Sequence, residues 1–261
     1  MERVLRACLL FGLCGCDLVL GLDRSGHDDD GDGAPDELDL CPHLADESSI
    51  DLDGDGIGAD CDVDDTVVTP GRLFWTFLDG ERPAALQLVE GTATPDPEAE
   101  ALVLGRRTDG QNALVVDVTT ATALIDVGFE ILDNAIDDDL RATPYVELGL
   151  YVAHRSFTSD LKTRGDNCYV GRNEPPDAGY LELNEDDRSH GTPQRFDGPL
   201  SGVAGRMRTV RTPARLDCVV RTTDLETSGG FDVSSPDRTG KIAISAERLR
   251  ARLRYVWITY Q

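Results

Sequence analysis

The negative charge of this chain is concentrated in one short segment, and that concentration restricts what the segment can fold into. The net charge of the 261 residues is -24. Residues 17–65 hold 18 acidic residues against one basic residue, Arg24. Few apolar side chains accompany them, so burial alone cannot offset chain entropy and charge repulsion. The segment is therefore either a solvated linker or a module that folds around bound cations.

Two stretches of this segment repeat aspartate at every second position, with glycine at the sixth position of each. Calcium takes six to eight oxygen ligands, and a twelve-residue loop of this pattern supplies them. The spacing favours calcium loops over a linker. We predict that the ligands are carboxylates, together with the main-chain carbonyl at position seven. The predicted set is Asp28, Asp30, Asp32, Ala34, Asp36 and Asp39 in the first loop, and Asp51, Asp53, Asp55, Ile57 and Asp62 in the second.

The flanks of the loops separate the families that use them. An EF-hand needs an apolar residue at position 8, a glutamate at position 12 and flanking helices, and a dockerin also needs helices; neither loop offers these features. The stretch Asp28–Asp62 instead resembles a thrombospondin type 3 repeat, in which Cys-Pro follows the first loop, here at Cys41, and a second cysteine lies 20 residues further, at Cys61. The resemblance implies that residues 28–65 fold only with calcium, at about 10⁻⁴ to 10⁻³ M.

The N-terminus resembles the signal of an exported bacterial lipoprotein. A weakly basic start precedes the apolar run Ala7–Leu13, which is too short to span a bilayer. Leu13-Cys14-Gly15-Cys16 is similar to a lipobox, which implies that residues 1–15 are removed and that Cys16 carries a lipid. An ordinary cleaved signal or a chance apolar N-terminus is the alternative. Residues 16–27 would form a linker, and the protein would be membrane-anchored through lipid only, in the periplasm or on the cell surface.

The odd count of seven cysteines is explained by this assignment. Two cysteines leave with the signal and Cys16 takes the lipid, so an even number remains, as an exported disulfide protein requires. Three pairings are possible. Proximity favours Cys41 with Cys61 and Cys168 with Cys218.

Residues 66–261 have a hydrophobic pattern with a period of two. In Tyr145–His154 the alternate apolar residues share one face, while Glu147 and Tyr151 share the other. Turn clusters such as Asp79-Gly80, Gly171–Pro176 and Ser228–Gly230 separate the runs. We predict a mainly β fold, an antiparallel jelly-roll sandwich of about ten to twelve strands. The last run alternates from Leu249 onward, which favours a strand over a helix.

Two segments carry a resemblance to a known sandwich family. Gly240–Ser245 and the run after it are similar to the last two strands of concanavalin A-like lectin/glucanase jelly rolls, which include laminin G-type domains. Leu73–Phe77 fits the first strand of that family. The resemblance implies a carbohydrate or cell-surface ligand.

The residues do not favour catalysis. Glucanases of this fold use a Glu-x-Asp-x-x-Glu strand, and the nearest stretch has Glu182 but places Asn184 where the aspartate belongs, without the second spaced glutamate. We interpret both as outward-facing strand positions and assign Trp75 and Trp257 to the core. The four histidines are scattered, and serine-nucleophile and phosphate-binding motifs are lacking.

Together these patterns predict a calcium-binding, lipid-anchored envelope protein in which a sandwich at 66–261 is an adhesion or carbohydrate-binding module on a calcium-stiffened stalk, with a polysaccharide or cell-surface partner. A polysaccharide hydrolase of the same fold and a structural envelope lipoprotein without ligand are the alternatives. A pI near 4.3 removes the long-range attraction for phosphate backbones, so we expect no nucleic-acid partner.

Overall fold

The computed structural model describes residues 26–45, 50–105, 111–134, 145–155, 165–173, 178–186, 188–190, 194–197 and 200–261. The chain divides into two compact units, Met1–Cys61 and Asp62–Gln261, close to the predicted boundary between residues 65 and 66. The predicted signal 1–15, the lipid site Cys16 and nearly all of the linker 16–27 lie outside the described residues. Within the described ranges, no helix is both long and apolar enough to cross a bilayer.

The first unit has little core of its own. Its described residues form turns and bends without helix or strand. A disulfide joins Cys41 to Cys61 with 5.7 Å between the Cα atoms, and both cysteines and Ile57 are buried. Leu38 and Leu52 remain 79% and 72% exposed. Burial of apolar surface therefore contributes little to holding this unit together.

The second unit is all β within the described ranges. Its strands are β1 (Gly71–Trp75), β2 (Leu86–Glu90), β3 (Ala93–Asp96), β4 (Ala101–Leu104), β5 (Gln111–Thr120), β6 (Ala123–Asn134), β7 (Tyr145–His154), β8 (Asp166–Asn173), β9 (Ala178–Glu185), β10 (Arg188–Ser189), β11 (Gln194–Asp197), β12 (Ala204–Arg211), β13 (Arg215–Thr222), β14 (Glu226–Asp232), β15 (Gly240–Glu247) and β16 (Leu249–Tyr260).

The strands form two antiparallel sheets of eight strands each. The first sheet has the order β14-β13-β12-β6-β16-β4-β3, with β1 also paired to β16. The second has the order β10-β9-β8-β7-β15-β5-β2, with β11 also paired to β9. Consecutive strands change sheet at β1–β2, β2–β3, β4–β5, β5–β6, β6–β7, β11–β12, β14–β15 and β15–β16. The predicted antiparallel sandwich is confirmed, although it has more strands than the sequence indicated.

The core lies between the two sheets because alternate residues of each strand point inward. Phe129 and Ile131 from β6 meet Leu148 and Leu150 from β7 in one buried cluster, together with residues of the neighbouring strands. The alternation in Tyr145–His154 therefore positions Glu147 and Tyr151 on the outer face of the second sheet, as the sequence predicted.

A disulfide and a buried ion pair link the two sheets. A disulfide connects Cys168 on β8 to Cys218 on β13, with 6.2 Å between the Cα atoms. Next to it, the carboxylate of Asp166 on β8 accepts hydrogen bonds from Arg211 Nε and Arg238 Nη1, each at 2.5 Å. Asp166 and Arg211 are fully buried. A charge buried in this way is tolerated because it is paired on both oxygens.

Several sequence assignments need correction. The first strand ends at Trp75 rather than Phe77, because Phe77 adopts a φ of 60° that is incompatible with extended backbone. Ser228–Gly230, predicted as a turn, lies within β14 and is hydrogen-bonded to β13. Gly171, also assigned to a turn cluster, pairs within the second sheet. Trp75 packs against the core, but the buried Trp257 lies on the outer side of the first sheet against Phe74.

Candidate metal loops and candidate ligand face

The first aspartate loop draws its leading carboxylates together. Oxygen atoms of Asp28, Asp30 and Asp32 lie within 4.8 Å of one another. The two oxygens of Asp28 accept hydrogen bonds from the amides of Gly31, at 2.8 Å, and Gly33, at 3.0 Å. Both glycines adopt positive φ, 78° and 98°, which explains why the loop carries glycine there.

The second loop repeats this geometry. Oxygen atoms of Asp51, Asp53 and Asp55 lie within 4.8 Å of one another, and Asp51 accepts from the amides of Gly54, at 2.7 Å, and Gly56, at 2.9 Å. The hydrogen bond from Gly56 contributes most to holding the pKa of Asp51 below its ordinary value. Two sequences that share only the aspartate and glycine pattern thus adopt one loop conformation.

The carboxylates of the first loop repel one another, and the effect appears in the pKa of Asp30. The pKa of Asp30 is raised to about 6, first by burial, then by the negative charges of Asp32, Asp39 and Asp28, and the hydrogen bond from the Asp32 amide only partly offsets these effects. Three carboxylates held this closely carry an electrostatic cost that a divalent cation would remove.

The last predicted carboxylate ligands of each loop make other contacts. Asp36 lies 3.9 Å from the Nδ1 atom of His27. Asp39 accepts a hydrogen bond from the Cys41 amide at 2.8 Å. The buried Asp62 accepts one from the Thr69 hydroxyl at 2.7 Å. The structure therefore brings together positions 1, 3 and 5 of each loop, and the additional ligands remain predictions.

The two position-seven residues lie directly beside these carboxylates. The amide of Ala34 donates to Asp32 at 2.7 Å, and the amide of Ile57 donates to Asp55 at 2.9 Å. Their carbonyls stay predicted ligands.

A second candidate site lies on the outer face of the second sheet. The strand registers align outward residues of four adjacent strands, β15, β7, β8 and β9, into rows. Going from β15 to β9, one row is Glu247, Glu147, Gly171 and Tyr180; the next is Ser245, Gly149, Tyr169 and Glu182; the third is Ala243, Tyr151, Asn167 and Asn184. We call Glu147, Tyr169, Tyr180, Glu182 and Asn184 the polar face cluster.

Hydrogen bonds and ring packing hold this cluster together. The Tyr180 hydroxyl donates to Glu147 Oε1 at 3.0 Å. The rings of Tyr169 and Tyr180 meet edge to face with centroids 5.9 Å apart. The Tyr169 hydroxyl is hydrogen-bonded with Asn184 and Glu182. Glu182 is half-buried, whereas the other four members are more than nine-tenths buried, so the cluster reaches solvent at Glu182.

The pairing of Tyr180 with Glu147 depends on Gly171, which lies between them in the row. A Cβ atom on Gly171 would come within 2.9 Å of the Tyr180 hydroxyl, 2.8 Å of Glu147 Cγ and 2.6 Å of the Val146 carbonyl. Any larger residue would therefore separate the two side chains. The glycine makes room for a hydrogen bond that spans three strands.

Electrostatics fixes the protonation of the two tyrosines. Burial, and after it the negative charge of Glu147, raises the pKa of Tyr169 and of Tyr180 above the ordinary value. Both hydroxyls consequently remain protonated and can donate hydrogen bonds. Carboxylate and amide groups lie beside them and are their hydrogen-bond partners, and the cluster reaches solvent at Glu182.

The outer face of the first sheet differs in that its charged groups are paired with one another. Arg206 Nε donates to both oxygens of the buried Asp126, at 2.8 and 2.7 Å, and the Tyr255 hydroxyl donates to Asp126 at 3.2 Å. Arg252 and Arg254 both donate to Glu130, at 2.7 and 3.2 Å. These carboxylates are neutralised by arginines of the same face, which makes this face the weaker candidate for a ligand.

The sequence located part of the polar face cluster. It predicted Glu182 and Asn184 as outward positions and Glu147 as opposite to the core. It missed Tyr169 and Tyr180 as partners, although Tyr169 alternates with Cys168 and Val170 and this alternation could have placed it on the outer face. Which outward residues meet across strands depends on register, and no sequence pattern showed it.

No family model matches the chain, and no curated protein matches it in sequence. Among solved structures the chain is similar to peanut lectin (TM-score 0.51, 12% identity, 72% of this chain and 97% of that one). It is also similar to winged bean acidic lectin complexed with methyl-α-D-galactose (0.52, 8%, 73% and 98%) and to a Bacteroides ovatus xyloglucan-locus protein, GH43B (0.51, 7%, 72% and 39%). At these identities the likeness concerns the fold alone, and it agrees with an antiparallel jelly-roll sandwich similar to that of these lectins.

Proposed function

We propose that this protein is an exported, calcium-binding lipoprotein in which the sandwich binds a polysaccharide or another cell-surface saccharide. The observation that carries the binding half is the polar face cluster, in which the rings of Tyr169 and Tyr180 lie beside carboxylate and amide groups on one sheet face. A neutral sugar presents hydroxyl groups that both accept and donate, and it presents apolar ring faces that pack on aromatic side chains. Lectin jelly rolls of similar fold support this choice of ligand class.

A matched pair of tyrosine variants tests the saccharide site. Tyr180→Phe removes a hydroxyl that donates to Glu147 on the second sheet, and Tyr255→Phe removes one that donates to Asp126 on the first sheet. We expect a glycan array and affinity electrophoresis to identify a ligand for the wild type. Tyr180→Phe should weaken that ligand about tenfold and Tyr255→Phe should not. Equal affinities in both variants, or a blank array, would refute the assignment and favour a structural role without ligand.

The calcium half rests on the two carboxylate triads, Asp28–Asp32 and Asp51–Asp55. Calcium would be held by these oxygens and, in our proposal, by Asp36, Asp39, Asp62 and the carbonyls of Ala34 and Ile57. Hydrogen exchange should show that a chelator loosens residues 28–62 and leaves the sandwich protected. Asp51→Asn should weaken calcium binding, while Asp60→Asn, at an exposed position outside the triads, should not. Identical exchange with and without calcium would rule the site out.

The anchor and the export of the chain form the third part of the proposal. Two disulfides are typical of proteins that mature in an oxidising compartment. The lipobox resemblance makes Cys16 the lipid site. Metabolic labelling with a fatty acid should mark the wild type and leave Cys16→Ser unlabelled; labelling of both would show that the lipid is elsewhere.

A polysaccharide hydrolase is the second candidate, because Glu147 and Glu182 are two carboxylates on one sheet face with Tyr169 between their strands. Glycoside hydrolases act through such a pair. Activity on a glucan panel that disappears in both Glu147→Gln and Glu182→Gln would establish this function. Activity that survives in both variants would exclude these two carboxylates as its catalysts.

A further inference from the structure

A separate polar cleft lies at the end of β9. Its volume is about 370 Å³, within the range of about 300–1,000 Å³ typical of small-molecule sites. It is bounded by the ends of β9 and β10 and by the segment after β14. The lining residues are Glu185, Asp186, Arg188, Ser234, Ser235 and Arg238.

The two acidic side chains of the cleft already form hydrogen bonds or ion pairs with other residues of the protein. Glu185 Oε1 accepts hydrogen bonds from both the amide and the hydroxyl of Ser234, each at 2.7 Å. Burial acts to raise the pKa of Glu185, but these hydrogen bonds, with the charges of Arg238 and His190, outweigh it and hold the pKa below its ordinary value. Asp186 lies 2.9 Å from Arg238. Neither carboxylate has its charge free to bind a cation.

The two arginines of the cleft differ in this respect. Arg238 lies 2.5 Å from Asp166 and 2.9 Å from Asp186, and its side chain is 7% exposed. Arg188 is exposed, and among the described residues it has no hydrogen-bond or ion-pair partner. Among the described residues that line the cleft, Arg188 is therefore the charged residue whose guanidinium is available to pair with a ligand.

We propose that this cleft binds a saccharide unit that carries a carboxylate, with Arg188 receiving the acid group. The planar guanidinium matches a carboxylate with two parallel hydrogen bonds. The Ser234 hydroxyl, which donates to Glu185, keeps its acceptor capacity for a sugar hydroxyl. The saccharide class of the ligand rests on the proposed function, while the acid preference rests on the cleft alone.

The cleft is a site separate from the polar face cluster. Glu185, which lines it, has the same parity along β9 as the core residues Leu181 and Leu183 and therefore points to the opposite side of the strand from Asn184. The acid preference of the cleft can therefore be tested independently of binding at the outer face.

The test uses two forms of one oligosaccharide: tetragalacturonate and the same tetrasaccharide methyl-esterified, so that only the charge differs. Isothermal titration of the full chain in calcium, at low salt, should show that the acid form binds at least about tenfold tighter than the ester. The preference should shrink with added salt. Arg188→Gln should abolish it, and the control Arg250→Gln, an exposed arginine that pairs with Asp133 at 2.8 Å, should keep it.

Each outcome decides one point. Equal affinities for the two forms, a preference that survives in Arg188→Gln, or no binding of either form would overturn the cleft assignment. An acid preference that is lost in Arg188→Gln and untouched by Tyr180→Phe would support the cleft while removing the sheet face as a binding site. Binding of neutral glycans that Tyr180→Phe weakens, without any acid preference, would support the face and overturn the cleft.

Discussion

The disulfide between Cys168 and Cys218 allows a quantitative prediction about how the two sheets are held together. It joins β8 of the second sheet to β13 of the first and closes a loop of 50 residues. In the chain-entropy model a loop of this length destabilises the unfolded chain by about 4 kcal/mol at 25 °C. We expect the double variant Cys168→Ala/Cys218→Ala to lose about that much unfolding free energy.

The same loss can be read as a melting temperature. For a domain of this size each kcal/mol corresponds to about 2–4 °C, so the sandwich transition should fall by about 8–16 °C. Differential scanning calorimetry of the calcium-loaded protein, without reductant, measures it. Because the disulfide acts mainly on the unfolded state, the urea m-value should rise when the cross-link is removed.

The disulfide between Cys41 and Cys61 supplies the matched control. It closes a loop of 20 residues in the first unit, where the same model assigns about 3 kcal/mol. Cys41→Ala/Cys61→Ala should therefore loosen residues 28–62 and leave the sandwich transition in place. A sandwich transition that moves by less than about 2 °C in Cys168→Ala/Cys218→Ala, or that moves as far in the control, would refute the reasoning.

Three further changes have defined outcomes. Asp166→Asn would leave the buried Arg211 without its charge partner, and urea denaturation should show a loss of about 3–5 kcal/mol; a loss below about 1 kcal/mol would contradict the buried pair. Gly171→Ala places a Cβ atom 2.6 Å from the Val146 carbonyl of the neighbouring strand, so the melting temperature of the sandwich should fall in calorimetry, and an unchanged melting temperature would contradict the close packing of these strands. The pKa of Glu185 is lower in the folded protein than its ordinary value of 4.5, so Glu185 stabilises the fold above pH 4.5, and this stabilisation is lost as the pH falls through the folded-state pKa. Glu185→Gln should therefore reduce the pH dependence of the unfolding free energy in this acid range. A pH dependence equal to that of the wild type would contradict the role of Glu185.

Much of the secondary structure could be read from local patterns. The bounds of β7, Tyr145–His154, agree with the alternation, and the final run from Leu249 is a strand as predicted. Prediction failed where the strand lacks alternating apolar residues. β14 carries Ser228, Gly229 and Gly230 and forms because it pairs with β13 at the sheet edge, a contact that no local pattern contains.

The candidate sites also differ in whether their residues lie close together or far apart in the sequence. The aspartate loops are local, since positions 1, 3 and 5 converge through amides a few residues away, and the spacing alone predicted the residues that meet. The ion pair of Asp166 with Arg211 joins residues 45 apart in sequence and on different sheets. The spacing of those two residues carries no sign of that pairing.

By itself the sequence determined the aspartate loops, the favoured cysteine pairs and the antiparallel sandwich, because each depends on spacing along the chain or on a period of two. Only the tertiary structure decided which strands enter which sheet, that Tyr180 meets Glu147 across Gly171, and that Arg188 faces a cleft of otherwise paired charges. The reason is physical: a period of two says which face a side chain occupies, whereas its neighbours on that face depend on strand order and register, which contacts distant in sequence establish.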